Sequence, residues 1–207
     1  MAERLLKAGY SLRIWNRTQS KAEPLVEYGA VIVDSPAELS DVEVLATMVS
    51  TGSDVEEVYF GENGVLSGSG VPKIFLDCSS IGVDQSSDIR ERLKKLGADL
   101  VCSPVSGNGK CVKVGKLSAV ASGPKNAFEA VEDIISTIAG MGVSYVGEGE
   151  LARFCKIAHN VMLGAVTQNL AEITVLAQKA GVPRRAFLDF MNNSVMGSVF
   201  TRYKTNA

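Results

Sequence analysis

The chain has 207 residues, of which 46% are hydrophobic and 21% are charged, and its formal net charge is -2. This balance, without any basic run, excludes a protein that binds nucleic acid or an anionic membrane through bulk charge. The apolar stretches are broken well short of the roughly 20 residues that a membrane-spanning helix needs, so we expect a soluble, cytoplasmic protein. With one histidine and four cysteines, none of them in a C-x-x-C pair, we expect no metal site.

From residue 1 to residue 147 the sequence alternates short apolar runs, typical of strands, with stretches of helical periodicity. Strands that alternate with helices at this spacing predict a parallel α/β sheet. In chain order, the predicted helices cover 3–8, 20–28, a segment that opens at 35, 54–59, 85–96 and 127–138. The predicted strands cover 11–15, 31–33, 42–48, 73–77, 99–101, 117–121 and 143–146.

After Gly149 the pattern becomes entirely helical. A helical apolar period without proline runs from 151 to 179, Gly181 ends it, and Pro183 opens a further helix that extends to residue 191. We therefore predict two domains, an α/β domain over 1–147 and a helical domain over 148–207. One long helix and one short helix cannot bury both their apolar faces, so we expect the helical domain to be incomplete and to need further chain or a partner subunit.

A dinucleotide-binding sheet normally opens with a strand and a glycine turn, followed by a helix whose N-terminus holds the pyrophosphate. This chain begins inside what would be that helix. We therefore predict an α/β fold with a Rossmann-type doubly wound sheet that lacks its first strand, followed by a partial all-α domain. The segment 147–152 matches the pattern G-x-G-x-x-A, but Glu148 and Glu150 would set two carboxylates beside a pyrophosphate. We interpret it as a hinge between the two domains.

Asn16, Arg17 and Thr18 follow the strand predicted at 11–15. In this architecture the end of the second strand binds the adenosine ribose, where an acid suits NAD and an arginine suits the 2′-phosphate of NADP. No acid occurs at 15–18, and the guanidinium fork of Arg17 fits a phosphate. An ordinary solvated turn explains the same residues equally well.

Two further segments contain groups that fit a carboxylate-bearing substrate. The small-residue loop at 103–109 can present a hydroxyl and backbone N–H groups to a carboxylate, or it is a plain glycine turn. Lys156 and Asn160 lie four residues apart, on one face of the long helix and among apolar neighbours. A lysine beside a reacting oxygen can donate a proton in carbonyl reduction. The alternative for Lys156 is a solvated surface charge.

Together these segments resemble the β-hydroxyacid dehydrogenases, which include 3-hydroxyisobutyrate dehydrogenases, tartronate semialdehyde reductases and plant glyoxylate/succinic semialdehyde reductases. The resemblance extends over essentially the whole chain, but the glycine loop and the last helices of the family pattern are missing, so we expect a chain truncated at both ends. Retention of Lys156 separates the chain from the similar imine reductases. The motifs are N-R-T at 16–18, D-C-S-S at 77–80, P-V-S-G at 104–107 and G-x-G-x(6)-K-x(3)-N at 147–160.

The resemblance implies a role for each matching residue. Lys156 would be the catalytic acid/base, and Asn160 would bind and orient the substrate. The substrate carboxylate would be held by Ser106, Gly107 and Asn108. The cofactor-binding residues would be Asn16, Arg17, Thr18, Met48, Val49 and Ser80.

The function that the resemblance implies is NADP(H)-dependent interconversion of a short β-hydroxyacid, or a related hydroxyacid, and its aldehyde or ketone. NADP is the preferred cofactor, NAD is possible, and the parent protein is expected to form a homo-oligomer through its helical domain. The alternative is a non-catalytic remnant of the same fold that binds a nucleotide or a partner. The missing glycine loop favours this alternative, whereas the intact set of Lys156, Asn160 and Ser106 opposes it. Loss of a central strand also predicts weak stability and weak cofactor affinity.

Overall fold

The structure is a computed structural model that describes residues 1–205, with only the backbone described at Lys110. The chain divides into two compact units, Met1–Lys156 and Ile157–Ala207. This division falls inside a single long helix, so the domain limits at 147 and 148 remain a prediction.

The strands of the first unit form three small sheets. The first sheet pairs β1 with β2, the second is β3-β4-β5, and both are parallel. In the third sheet β7 is parallel to β8 but antiparallel to β6, and an isolated bridge from Cys102 to Ser122 links the second sheet to the third. The strands are β1 (Arg13–Ile14), β2 (Val31–Ile32), β3 (Val44–Thr47), β4 (Ile74–Asp77), β5 (Asp99–Cys102), β6 (Val105–Ser106), β7 (Ser118–Ala121) and β8 (Val143–Tyr145).

Helices alternate with these strands and then continue alone. Three of them connect strands that pair in parallel, namely β3 to β4, β4 to β5 and β7 to β8, as expected for parallel pairing. The α-helices are α1 (Ala2–Lys7), α2 (Gly52–Phe60), α3 (Val83–Lys95), α4 (Gly109–Lys113), α5 (Lys125–Ile138), α6 (Leu151–Lys179), α7 (Arg184–Asn193) and α8 (Val199–Thr205). No helix within residues 1–205 combines the length and the apolar character needed to cross a membrane.

Helices cover both faces of the sheet β3-β4-β5. Successive residues of a strand point to opposite sides of the sheet, so neighbouring residues of one strand belong to different core clusters. Leu76 of β4 belongs to a core cluster with Leu5 of α1 and Ile135 of α5. Its neighbour Phe75 belongs to a second cluster, which contains Val55 and Tyr59 of α2 together with α3 residues. Phe75 and Leu76 are both fully buried, and each burial stabilises the fold by about 1.5–3 kcal/mol. The predicted fold class, a doubly wound α/β sheet followed by a helical region, is confirmed.

The sheet is interrupted between β1 and β3, which are not hydrogen-bonded to each other within the described residues. Two ion pairs connect the segments around these strands. Arg13 at the start of β1 pairs with Asp41, which precedes β3. Arg17, just after β1, pairs with Asp54, which lies in the helix that follows β3. The pair of Arg13 and Asp41 lies near the first residues of β1 and β3, and the pair of Arg17 and Asp54 lies beyond their last residues. The two strands therefore run in the same direction on either side of the interruption.

Several predicted elements differ from those observed. The helix expected over 20–28 is two short 3-10 helices, Gln19–Lys21 and Glu23–Tyr28. Pro24 lies in the first turn of the second one and lacks the N–H that a continuous α-helix would need there. The loop expected at 103–109 contains β6 and the start of α4. The helix α8 was not predicted.

The second unit holds most of α6 together with α7 and α8. Ser198 and Thr201 exchange side-chain and backbone hydrogen bonds at the start of α8, with Ser198 N–H to Thr201 Oγ1 at 2.8 Å. Asn192 of α7 donates to Thr205 Oγ1 of α8 at 2.8 Å, which ties the two helices together. Large apolar side chains are nevertheless more than half exposed in this unit, namely Val161, Met162, Val175, Leu176, Phe190, Val195, Met196 and Val199.

Candidate active site

The loops after β3, β4 and β5 leave the same edge of the sheet, because these strands are parallel and in register. Thr47 lies opposite Asp77, and Asp77 lies opposite Cys102. The loop after β4 is held to both of its neighbours. Val49 N–H donates to Ser79 Oγ at 3.0 Å, and Ser103 N–H donates to the carbonyl of Asp77 at 2.7 Å. This edge therefore brings together three segments that the sequence singled out, at 48–49, 79–80 and 103–109.

Side chains at this edge differ in their exposure. Met48 is 55% exposed although it is apolar, and Ser80 is also exposed. Ser79 is buried, and its N–H donates to Asp77 Oδ1 at 3.1 Å. The buried polar groups thus fix the backbone of the loop, whereas Ser80 remains exposed.

Asn16, Arg17 and Thr18, which follow β1, are exposed, and an acid from elsewhere in the chain lies beside Arg17. Thr18 N–H donates to Asn16 Oδ1 at 2.9 Å, which closes a local turn. Arg17 Nη1 lies 3.2 Å from Asp54 Oδ1, with the arginine side chain 79% exposed and the aspartate 28% exposed. No acid occurs at 15–18 in the sequence, but the fold brings the carboxylate of Asp54 beside Arg17. Sequence reasoning missed Asp54, whose one signal is the T-x-x-D capping pattern that begins at Thr51.

A buried ion pair anchors the first turn of α6. Arg153 Nη2 donates to Asp77 Oδ2 at 2.6 Å, and both side chains are 1% exposed. The same guanidinium donates through Nη1 to the carbonyl of Ser79 and through Nε to Ser86 Oγ at 3.1 Å. The beginning of α6 is therefore bound directly to the loop after β4. Sequence reasoning missed both charged residues of this pair.

The G-x-G-x-x-A segment is engaged by the protein itself. Arg90 donates through Nε to Glu150 Oε1 at 2.6 Å and through Nη2 to the carbonyl of Gly149 at 2.9 Å. Ser86 donates to the other oxygen of Glu150, and Ala152 N–H donates to Ser122 Oγ at 3.0 Å. The carboxylate of Glu150 and the N–H of Ala152 are thus bound within the protein, which disfavours a phosphate site in this segment.

Lys156 lies one turn of α6 after Arg153. Its side chain is partly buried, and burial lowers the pKa of its ammonium group below the usual 10.5. Desolvation disfavours the charged form of an amine, which brings its proton affinity closer to that needed for transfer at moderate pH. Partial burial with a lowered pKa is consistent with the predicted role of Lys156, which stays a prediction.

Asn160 also lies on α6 but belongs to the second unit. Its Oδ1 lies 3.2 Å from Nδ1 of His159, and its side chain is exposed.

The loop at 103–109, which we call the candidate carboxylate loop, has a shape that is fixed by its backbone and by its two ends. Ser106 ends β6 opposite Ser118 of β7. Gly107 has a φ of +134°, a region that side chains rarely adopt. Asn108 Oδ1 accepts the N–H of Cys111 at 3.1 Å and so caps α4. The loop is more than a plain turn, since a strand and a helix hold its two ends.

The residues present fit the two ends of a dinucleotide. The cationic Arg17 and the exposed Met48 suit the adenosine end, and the hydroxyl of Ser80 at the same sheet edge suits the nicotinamide end. None of the segments described above supplies the backbone cradle that usually holds a pyrophosphate. Within residues 1–205 no group of three or more His, Cys, Asp or Glu side chains is arranged to hold a metal ion.

Comparison with known proteins places the chain in a family. The model of the NAD-binding domain of 6-phosphogluconate dehydrogenase matches residues 1–147. The uncharacterized oxidoreductase YkwC of Bacillus subtilis is 31% identical over 96% of this chain and 69% of its own length. This chain belongs to the β-hydroxyacid dehydrogenase family. By family it is an NAD(P)-dependent dehydrogenase, as the motifs predicted.

Two further comparisons describe the extent of this relationship. Chloroplastic glyoxylate/succinic semialdehyde reductase 2 of Arabidopsis thaliana is 30% identical over 96% of this chain, which spans only 55% of that protein. The solved structure of Psf3 in complex with NADP+ and 2-OPP aligns with a TM-score of 0.86 at 24% identity. It covers 99% of this chain and 72% of the Psf3 chain. The fold is thus shared along the whole chain, which spans between 55% and 72% of the length of these three proteins.

Proposed function

We propose that this chain carries the site of an NADP(H)-dependent oxidoreductase that interconverts a short β-hydroxyacid, or a related hydroxyacid, and its aldehyde or ketone. The observation that carries the proposal is the link between Lys156 and the sheet edge. One turn before this partly buried lysine, Arg153 is bound through Asp77 and Ser79 to the loop that bears Ser80. This link supports a role for Lys156 as the proton donor beside the proposed nicotinamide end.

Each proposed residue has a distinct task. Lys156 donates a proton to the carbonyl oxygen in reduction and accepts it from the hydroxyl in oxidation, while the nicotinamide supplies or receives the hydride. Asn160 orients the substrate, whose carboxylate is held by Ser106, Gly107 and Asn108. Preorganised N–H and hydroxyl donors of this kind bind a carboxylate without the rearrangement that a flexible loop would need.

The cofactor is proposed to lie across the sheet edge, with Asn16, Arg17 and Thr18 at the 2′-phosphate. Met48 and Val49 would contact the adenosine, and Ser80 would lie near the nicotinamide. The high exposure of Arg17 supports NADP as the preferred cofactor, since a phosphate can reach its guanidinium. The name of the Psf3 complex, which includes NADP+, is consistent with this preference. A cytoplasmic location and a homo-oligomer formed through the helical region belong to the same proposal.

The second candidate function is a non-catalytic module that binds a nucleotide or a partner. It is favoured by the internal engagement of the G-x-G-x-x-A segment, in which Arg90 binds Glu150 and the carbonyl of Gly149, because a dinucleotide-binding turn needs free backbone donors for the pyrophosphate. The two candidates differ in their need for Lys156, since a binding module does not use its proton.

The test uses Trp15, the single tryptophan, which lies two residues before Arg17. The chain is titrated with NADPH and with NADH while Trp15 fluorescence is recorded, with Arg17→Ala as the control. Turnover of glyoxylate and of succinic semialdehyde is then measured, with Lys156→Met as the control. Saturable quenching by NADPH that weakens in Arg17→Ala, with turnover that Lys156→Met abolishes, supports the enzyme. Binding without turnover supports the module, and no saturable change in a folded chain contradicts the enzyme and the nucleotide-binding module.

A further inference from the structure

The carboxylate beside Arg17 is held more firmly than Arg17 itself. Asp54 Oδ2 accepts the N–H of Thr51 at 3.0 Å and its hydroxyl at 2.7 Å, and Thr51 Oγ1 accepts the N–H of Asp54 at 3.1 Å. This reciprocal capping box leaves Oδ1 as the oxygen that meets Arg17. The arginine side chain is 79% exposed, so the fixed partner in this pair is the aspartate.

The position of the pair relates it to the adenosine end of the sheet. Arg17 lies three residues after the end of β1, and Asp54 lies in the first turn of α2, beyond the end of β3. The pair therefore spans the interruption at the edge from which Met48 and Val49 also emerge. A ribose bound there would meet a cation and an anion together.

The two charges favour different cofactors. A 2′-phosphate gains charge-assisted hydrogen bonds from the guanidinium of Arg17. It also approaches a carboxylate that cannot turn away, because Thr51 holds it. A ribose 2′-hydroxyl, by contrast, can donate a hydrogen bond to Asp54 Oδ1, which is the contact that an acid makes to NAD in this architecture.

We propose that Asp54 is a cofactor-specificity residue, which limits the preference for NADP that Arg17 creates and keeps NAD as an accepted cofactor. This inference rests on the proposed function, because it assumes a dinucleotide at the sheet edge. The chain then has dual cofactor specificity, with the acid contributed by α2 rather than by the end of the second strand.

The test measures binding of the adenosine end alone, so it does not depend on turnover or on a pyrophosphate cradle. Adenosine 2′,5′-bisphosphate and AMP are titrated against the chain, followed by Trp15 fluorescence and by calorimetry. The variant is Asp54→Asn, whose amide oxygen can still accept from Thr51. The matched control is Asp41→Asn, which makes the same change in net charge and breaks the Arg13 ion pair at the opposite end of the strands.

In Asp54→Asn we expect the affinity ratio of the bisphosphate to AMP to rise at least fivefold, with AMP itself bound more weakly. The ratio should change by less than twofold in Asp41→Asn. The rise should shrink at high salt, because the pair is exposed and screened.

An unchanged or lower ratio in Asp54→Asn, or an equal rise in both variants, overturns the inference. Fragment binding without dinucleotide turnover would count against the proposed enzyme but leave the Asp54 inference standing. Absence of fragment binding overturns it.

Discussion

The guanidinium of Arg153 and the carboxylate of Asp77 meet at 2.6 Å in a position where both side chains are 1% exposed. The two residues lie 76 positions apart, one in the first turn of α6 and the other at the end of β4. Because Asp77 also accepts the N–H of Ser79, one carboxylate fixes both the helix that bears Lys156 and the loop that bears Ser80. Stability and the proposed chemistry therefore depend on the same contact.

Removing one member of this pair should strongly destabilise the protein. Arg153→Met leaves the charge of Asp77 buried without a cationic partner, so we expect a loss of about 3–5 kcal/mol in the free energy of unfolding. The double variant Asp77→Asn/Arg153→Met removes both charges and should recover much of that loss. Urea unfolding followed by Trp15 fluorescence measures both. If the double variant is as unstable as the single one, the charge argument is wrong.

A control for this experiment is available on the surface. Lys73 and Glu43 form an ion pair at 3.8 Å, with side chains that are 80% and 79% exposed. Lys73→Met should leave the unfolding midpoint unchanged within error, because water already solvates each charge.

Replacement of Lys156 should separate binding from chemistry. Lys156→Met should lower kcat about 10²–10⁴-fold, the usual contribution of a positioned acid or base, while the Kd of NADPH stays the same. Since burial lowers the pKa of Lys156 below 10.5, reduction should slow as pH rises through that lowered pKa. Oxidation, which needs the neutral amine, should accelerate over the same interval. Parallel pH profiles for the two directions would exclude Lys156 as the proton donor.

Acid should destabilise the protein through Glu150. Burial by itself would raise the pKa of this carboxyl, but hydrogen bonds from Arg90 and Ser86 outweigh it and hold the pKa below the usual 4.5. A carboxyl with a lowered pKa in the folded state stabilises the fold above its unfolded value. That stabilisation is lost as pH falls below 4.5 through the lowered pKa. Urea unfolding measured from pH 3 to pH 6 should therefore show a steep acid limb.

Substitutions of two neighbouring glutamates test which carboxyl causes the loss of stability in acid. Glu150→Gln should flatten the acid limb, because the group that titrates is removed, and should lower stability at pH 6. Glu148→Gln changes an exposed side chain two residues away and should preserve the limb. A similar acid limb in Glu150→Gln would show that other carboxyls cause it.

Local patterns in the sequence could predict the order of the elements but not the contacts between distant charges. The bounds of α6 agree with the structure because the apolar period is uninterrupted and Gly181 follows it. No local pattern distinguishes Arg153 from an exposed helical arginine, because its partner Asp77 is brought near it only by the sheet topology. Asp54 was missed for the same reason, because it lies 37 residues from Arg17.

Gly107 should be needed for the shape of the carboxylate loop. A Cβ at this position would lie 2.5 Å from Leu117 Cδ2, and the φ of +134° would strain any side chain. We expect Gly107→Ala to destabilise the protein by more than about 1 kcal/mol. The KM for glyoxylate should also rise several-fold, because the backbone donors beside Ser106 are displaced, whereas the Kd of NADPH should stay constant.

The control is Gly109→Ala in the same loop, where an added Cβ meets nothing within 4 Å. If the two alanine variants have equal KM values, the backbone of Gly107 does not hold the substrate carboxylate.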